Sequence, residues 1–408
     1  MKSLLVFTAL LLTFAAQAKV KLGNEVLIDH HFKELAGKRV GLITNPSGVN
    51  RDLKTTIEIL RAAPNVKLVA LFGAEHGVYG DVEAGKHVTN NIDPLTGLNA
   101  FSLYRTNGTS KPTKESLKDI DVLVYDLQDI GCRSYTFITA MGFAMQACAE
   151  NNIEFVVLDR PNPLGGDRIE GAMLQKKFRS TVSEWYVPYI YGLTCGELAR
   201  MINGEHWNTN QCKLTVVPMK GWKRSMIWSD TGLQWVPASP HIPNADSPLY
   251  CAATGIVGEL LSVNIGVGYT MPFHCIAVPG ADMHKVADAL NSYQVPGTFF
   301  KPVSYKPYYN THSNKVVYGA QLYITDPKRA PLVPINLYAI ETLKKTANFD
   351  VFEEATKAKR KFGMFDKVNG TDTLREQLQA GKPDREIVES WKPDIEQIRK
   401  ARKKYLLY

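Results

Sequence analysis

The sequence predicts an α/β protein: a Rossmann-like, mostly parallel sheet domain followed by a smaller α+β domain. Three observations carry this. The first half alternates near-continuous apolar strand runs with helical segments, as a parallel sheet covered on both faces requires. The second half mixes strands and helices without that regularity. The chain has 408 residues, more than one simple core accommodates.

At the N-terminus, Lys2 precedes the apolar run "LLVFTALLLTF", and Ala16-Gln17-Ala18 offers a small-x-small cleavage site. Residues 1–18 read as a signal peptide, which predicts export to the periplasm or the medium. No later stretch is long and apolar enough for a membrane anchor. The strands follow as "KRVGLITN" from Lys38, "VKLVALFG" from Val66, "DVLVYDLQD" from Asp121 and "IEFVVLDRP" from Ile153. "LKTTIEILRAA" and "YTFITAMGFAMQACAEN" are the helices between them, with "AFSLY" a short strand and "TKESLKDI" a short helix. Residues 19–180 are expected to form the sheet domain and residues 181–408 the second. There "TCGELARMING", "GIVGELLSV" and "MHKVADALNSY" read as helices. "CKLTVVPM" and "FHCIAVPG" read as strands, and "KVVYGAQLYITD" as an edge or hairpin strand. Long helices are expected to close the chain.

The net charge is +8, spread along the chain and densest in "TKAKRKFG" and "IRKARKKY". Those runs read as solvated helix faces, so no nucleic-acid partner is expected. Six scattered cysteines without a C-x-x-C pair exclude a disulfide scaffold and suit buried free thiols or one incidental bridge.

Ligands of open parallel sheets bind beyond the carboxyl ends of the strands. The first strand ends at Asn45 and the second at Glu75-His76, inside "FGAEHGVYGDVEAG". The third delivers Asp126, Gln128, Asp129, Arg133 and Tyr135, and the fourth Asp159, Arg160 and Asn162, with Glu170 following. Carboxylates, amides, arginines and an imidazole thus reach one rim. No G-x-G-x-x-G follows the first strand, and neither a Walker A motif nor a G-x-S-x-G elbow occurs. No cofactor is expected. The spacing of His76, Asp81 and His87 fits no familiar metal set, so no metal is expected.

"FGAEHGVYGDVEAG", "VLVYDLQDIGCRSYTFITAM", "VLDRPNPLGG", "IEG", "GLTCGELA" and the terminal "KKYLLY" resemble the bacterial exo-β-N-acetylmuramidases, glycoside hydrolases of peptidoglycan recycling. The match runs over nearly the whole chain. The resemblance implies an active-site cleft between the two domains. It also implies release of N-acetylmuramic acid from the non-reducing ends of peptidoglycan-derived muramyl saccharides. Where the family has P-S-P-N-x-P this chain has "ASPHIPNADSP", with His241 at the Asn position. Val267 replaces an arginine of the E-G-T-N-x-S-x-G-R-G-T stretch, and "YGLTCGELA" lacks the usual Arg-His before Gly.

Glycosidases need a protonated carboxyl and a second carboxylate or a substitute. Glu75 fits the proton donor, on a tight loop beyond a buried strand, with His76 orienting the site. For the second group, Glu170 stands first and Asp129 second, with the substrate's own acetamido group as a third route. Arg133 suits the lactyl carboxylate of muramic acid. Asn45, Gln128, Asn162 and His241 suit sugar hydroxyls, Arg160 the rim charge, and Tyr135 or Trp235 ring stacking. The competing readings are a glycan-binding protein without catalysis and another hydrolase, an esterase or amidase.

Overall fold

The computed structural model describes residues 20–105 and 108–408. The signal peptide expected over residues 1–18 lies outside them. A seven-stranded sheet forms the centre of the first part. Its order is Asn91–Ile92, Asn99–Ser102, Lys67–Gly73, Arg39–Thr44, Val122–Asp126, Glu154–Leu158 and Lys213–Val217. Every neighbouring pair is parallel except the first.

Pleating explains why these strands read as continuous apolar runs. Val122 and Val124 point to one face, where they meet Val26, Leu27 and Leu60. Leu123 and Tyr125 point to the other, against Met141, Ala144 and Met145 of the helix Phe137–Glu150. Burial on both faces leaves no polar alternation to keep. The long helix is held close by Gly142, where an added Cβ would lie 1.9 Å from the Trp185 ring. Trp185 is fully buried and donates its indole N–H to the Ile138 carbonyl at 2.9 Å.

The expected division at residue 180 precedes the seventh strand. Lys213–Val217 pairs with Glu154–Leu158, and the helix Cys195–Gly204 packs over both. The sheet therefore draws on residues to Val217, because only that strand covers the open edge beside Glu154–Leu158.

A three-stranded antiparallel sheet forms the centre of the second part, in the order Cys275–Val278, Val317–Ile324, Thr298–Tyr305. "KVVYGAQLYITD" thus supplies the middle strand rather than an edge, and pairs antiparallel with the strand before it, as a hairpin strand does. The edges are Cys275–Val278 and Thr298–Tyr305, and Pro302 hid the latter from propensity reasoning. The helix read from "GIVGELLSV" runs earlier, over Ser247–Gly258. The closing helices are shorter than expected: only Val333–Ala347 reaches 15 residues. The chain end returns to the first part. Tyr408 donates to the Asp159 carboxylate at 2.8 Å and packs edge-on against Trp222.

All six cysteines are free, and five are buried. Among the described residues no helix is long and apolar enough to cross a membrane.

Candidate active site

The strand Lys67–Gly73 ends where the backbone doubles back. Gly73 has no room for a side chain, since an added Cβ would lie 2.9 Å from Val78 N. The turn then places His76 (φ 74°) and Gly77 (φ 78°) consecutively in the left-handed region. That conformation costs a non-glycine residue energy, and such strain concentrates at functional sites. Its product is a fixed Glu-His pair.

Glu75 is half-buried. One carboxylate oxygen accepts from Gly85 N at 2.9 Å and the other from Thr136 Oγ at 2.7 Å. Thr136 is also the N-cap of the helix Phe137–Glu150, and its hydroxyl makes no capping bond of its own. Glu75 therefore faces the positive end of that helix. The Tyr104 phenol is pushed up to about 12, by burial first and then by the charge and hydrogen bond of Glu75.

His76 is buried, and its Nδ1 lies 2.8 Å from the Val82 carbonyl. A carbonyl only accepts, so Nδ1 carries a hydrogen, and Nε2 makes no hydrogen bond among the described residues. His241 lies within electrostatic range of His76. Burial, and then His76, lower the pKa of His241. The His241 ring stacks on Tyr309, with Nε2 3.0 Å from the Tyr309 hydroxyl. Tyr309 is 53% exposed and its neighbour Tyr308 71%, so this loop of the second part presents two open aromatic faces. Sequence reasoning missed both tyrosines, along with Thr136, Tyr104 and Ser239. A tyrosine on an irregular loop carries no periodic signal.

Asp129 is 5% exposed. Tyr191 donates to its Oδ2, as does Gly131 N at 2.7 Å. Oδ1 is buried with no partner among the described residues. Burial pushes the carboxyl up to about 6 against the pull of those donors. Nearby, Gln128 Oε1 is buried and equally unpaired. The Tyr135 phenol approaches Ser239 without closing a hydrogen bond, and it feels the charges of both Asp129 and Glu75. A buried polar atom left unpaired is costly. Three such atoms lie on the one segment from Gln128 to Tyr135.

Other expected site residues have different work. Arg133 is 0% exposed. Its Nε donates to Ser183 Oγ at 3.0 Å, and its terminal nitrogens donate to the carbonyls of Ala172, Val187 and Val368 at 2.8, 2.6 and 3.0 Å. That guanidinium joins the two parts of the chain from inside and cannot reach a substrate carboxylate. Burial lowers its pKa to about 10.

Glu170, first choice for the second catalytic group, is also committed. One oxygen accepts from Leu332 N and Val333 N at 2.8 and 2.9 Å, and the other pairs with Arg168 at 2.9 Å. It caps the helix Val333–Ala347, whose free amides require an acceptor. Arg160 is locked in a buried ion pair with Asp126 and donates to the Val49 carbonyl at 2.8 Å. Asn162 bridges Leu164 N and the Leu193 carbonyl, both at 2.9 Å.

Asn45 donates to the Ala238 carbonyl at 2.9 Å, across 193 residues. It thereby fixes the loop that carries Ser239 and His241, and is a positioning residue. Trp235 donates to the Ile242 carbonyl at 3.1 Å and packs edge-on against Trp228, holding the same loop. Val267, at the family's arginine position, is buried in the second core.

Glu75, His76, Gln128, Asp129, Tyr135 and His241 thus remain as candidate ligand-facing groups. A carboxyl beside a hydroxyl donor, a second carboxyl with a free oxygen, an imidazole and open tyrosines can bind and protonate a polar ring.

Comparison with known proteins shows the family. The family model described as the N-terminal part of exo-beta-N-acetylmuramidase NamZ matches residues 40–246, and the C-terminal part matches residues 249–408. The chain is 41% identical over 394 residues to the peptidoglycan beta-N-acetylmuramidase NamZ of Bacillus subtilis (strain 168), covering 97% of this chain and 92% of that protein. A crystal structure of a DUF1343 family protein from Bacteroides fragilis NCTC 9343 is similar with a TM-score of 0.88 and 47% identity, covering 96% of this chain and 99% of the other. A second DUF1343 structure from the same strain gives a TM-score of 0.76 and 28% identity at the same coverage. The chain belongs to the exo-β-N-acetylmuramidase family.

Proposed function

We propose that the protein is an exo-acting glycoside hydrolase that releases N-acetylmuramic acid from the non-reducing ends of peptidoglycan fragments. The observation that carries this is membership of the exo-β-N-acetylmuramidase family together with a Glu75 carboxyl held by Thr136 and Gly85 at the end of a sheet strand. Glu75 is the proton donor to the leaving oxygen. Thr136 and Gly85 fix its carboxyl, and proton transfer demands such fixed geometry.

Asp129 is the second group. Ionised above about pH 6, it offers the free Oδ1 to the substrate's acetamido N–H or to the positive charge that develops at the anomeric carbon. Glu170 is withdrawn from this role because both its oxygens are occupied. His76 Nε2, Gln128 Oε1 and His241 hydrogen-bond sugar hydroxyls, and Tyr309 stacks on the ring.

The apolar N-terminal run with its Ala16-Gln17-Ala18 site supports a further reading. The protein is exported and works where wall fragments are found. Mass spectrometry of exported material should show a mature chain beginning at Lys19. An intact Met1 segment there would rule out cleavage.

Turnover of a chromogenic β-N-acetylmuramide, set against the matching β-N-acetylglucosaminide, tests the activity. Selective hydrolysis of the muramide is expected. Saturable binding of muramyl sugars without turnover would favour a glycan-binding protein, and turnover of an ester or amide instead would favour another hydrolase.

A further inference from the structure

Residues 164–170 of the first part and 328–331 of the second enclose a cavity of about 510 Å³, completed by Arg224, Ile227 and Arg399. That volume lies in the range of small-molecule sites. None of Glu75, His76, Gln128, Asp129, Tyr135 and His241 lines it, so it is separate from the candidate active site.

Its walls are basic. Arg168, Arg224, Lys328, Arg329 and Arg399 line it, against Asp167 and Glu170. Both Glu170 oxygens are already engaged, by Arg168 and by the amides of Leu332 and Val333. Glu197, Asp230 and Glu396 pair with Arg224, Lys328 and Arg399, but none of these three acids lines the cavity. Arg329 is exposed, and its guanidinium makes neither a hydrogen bond nor an ion pair among the described residues. Positive charge is crowded enough to be felt behind the wall. Burial, and then Arg224 and Arg399, lower the pKa of Arg402 to about 10.

Two N–H donors of this wall have no partner. The Arg168 side chain is 10% exposed. Its terminal nitrogens donate to Glu170 and to the carbonyls of Ala330 and Pro327, while its Nε is buried and unpaired. Arg224 gives its terminal nitrogens to Glu197 and to the carbonyls of Gly166 and Gly192. Its Nε comes only within 3.8 Å of Asp167, beyond hydrogen-bond reach. Gly166 makes room for that guanidinium, since an added Cβ would lie 2.9 Å from Arg224 Cζ. A purely structural arginine would have its buried N–H groups paired. A guanidinium held rigid by carbonyls, with an N–H to spare, is prepared for an oxyanion.

We propose that this cavity is a second ligand site, taking a small molecule that bears a carboxylate or phosphate group, with the oxyanion accepting from Arg168 and Arg224 and meeting Arg329 from the second part. The ligand then ties the two parts of the chain together at a point away from the cleft. The proposal does not depend on the reading of the cleft as a muramidase site.

Calorimetry on the full chain with glucose-6-phosphate, glucuronate and neutral glucose tests this and separates the two oxyanions. At least one anionic probe should bind at millimolar concentration, and glucose should not. Arg329→Ala should bind the anion about tenfold more weakly, and Arg329→Lys should recover part of the affinity. Arg329→Ala breaks no contact, so its melting temperature and muramide turnover should match wild type. Binding of the phosphate alone or of the carboxylate alone would uphold the site and name its anion. Silence from both anions, equal binding of glucose, or wild-type affinity in Arg329→Ala would overturn the proposal.

Discussion

Thr136 donates its hydroxyl to Glu75 at 2.7 Å and joins two loops 61 residues apart in sequence. The bond fixes the carboxyl on which the proposed chemistry turns, and it uses the hydroxyl that would otherwise cap a helix. Thr136→Val keeps the shape and removes the donor. It should lower kcat by roughly tenfold, the value of one hydrogen bond to a charged group, with KM little changed. Steady-state kinetics on the chromogenic muramide reads this, and a pure KM effect would place Thr136 in binding instead.

Arg133 should report on stability and not on specificity. Arg133→Lys cannot serve Ser183 and three separate carbonyls. Each buried acceptor left unpaired costs about 1–3 kcal/mol, so denaturant unfolding should show a large loss. The preference for muramide over glucosaminide should survive in whatever protein remains folded. A changed preference would return Arg133 to the substrate.

Glu170→Ala should behave alike for a different reason. It bares the amides of Leu332 and Val333 at a helix start and unpairs Arg168. Roughly 1–3 kcal/mol of stability should disappear, with kcat little changed below the unfolding transition. Abolished turnover in a protein of wild-type stability would restore Glu170 as a catalytic group.

Asp129 couples activity and stability in opposite directions. Its folded value of about 6 exceeds its ordinary 3.8, so the native state binds this proton more tightly than the unfolded chain. The group's effect is therefore to lower stability as pH rises from 3.8 to about 6, with the full penalty present above that. Activity should rise through the same window, because the proposed role needs the carboxylate. Asp129→Asn should lose roughly 10²–10³ in kcat and yet be no less stable than wild type at pH 7. Thermal melts paired with pH–rate profiles check both, and an unchanged acid limb would assign it to another group.

The large sheet was legible because burial on both faces forces unbroken apolar runs, and the ends of those runs pointed to Glu75, His76, Asp129 and Tyr135. Legibility failed wherever a side chain's partner lies far away in sequence. Arg133 and Glu170 share a rim with the candidate site by topology, but their partners at Val368 and Leu332 come from the second part. No local pattern announces such a bond. Thr298–Tyr305 was hidden by its proline, and Lys213–Val217 was read as a strand but put in the wrong unit, because strand order is a property of the sheet and not of the run. Tyr309 enters only through its stack on His241, 68 residues away.

The most direct test concerns Glu75 as the proton donor. Glu75→Gln preserves size and can still meet Thr136 and Gly85, but it has no acidic proton to give. Turnover of a natural N-acetylmuramyl disaccharide should fall by about 10²–10⁴, and turnover of an aryl muramide with a good leaving group by much less, at an unchanged melting temperature. Equal and small losses on both substrates would contradict the role of Glu75.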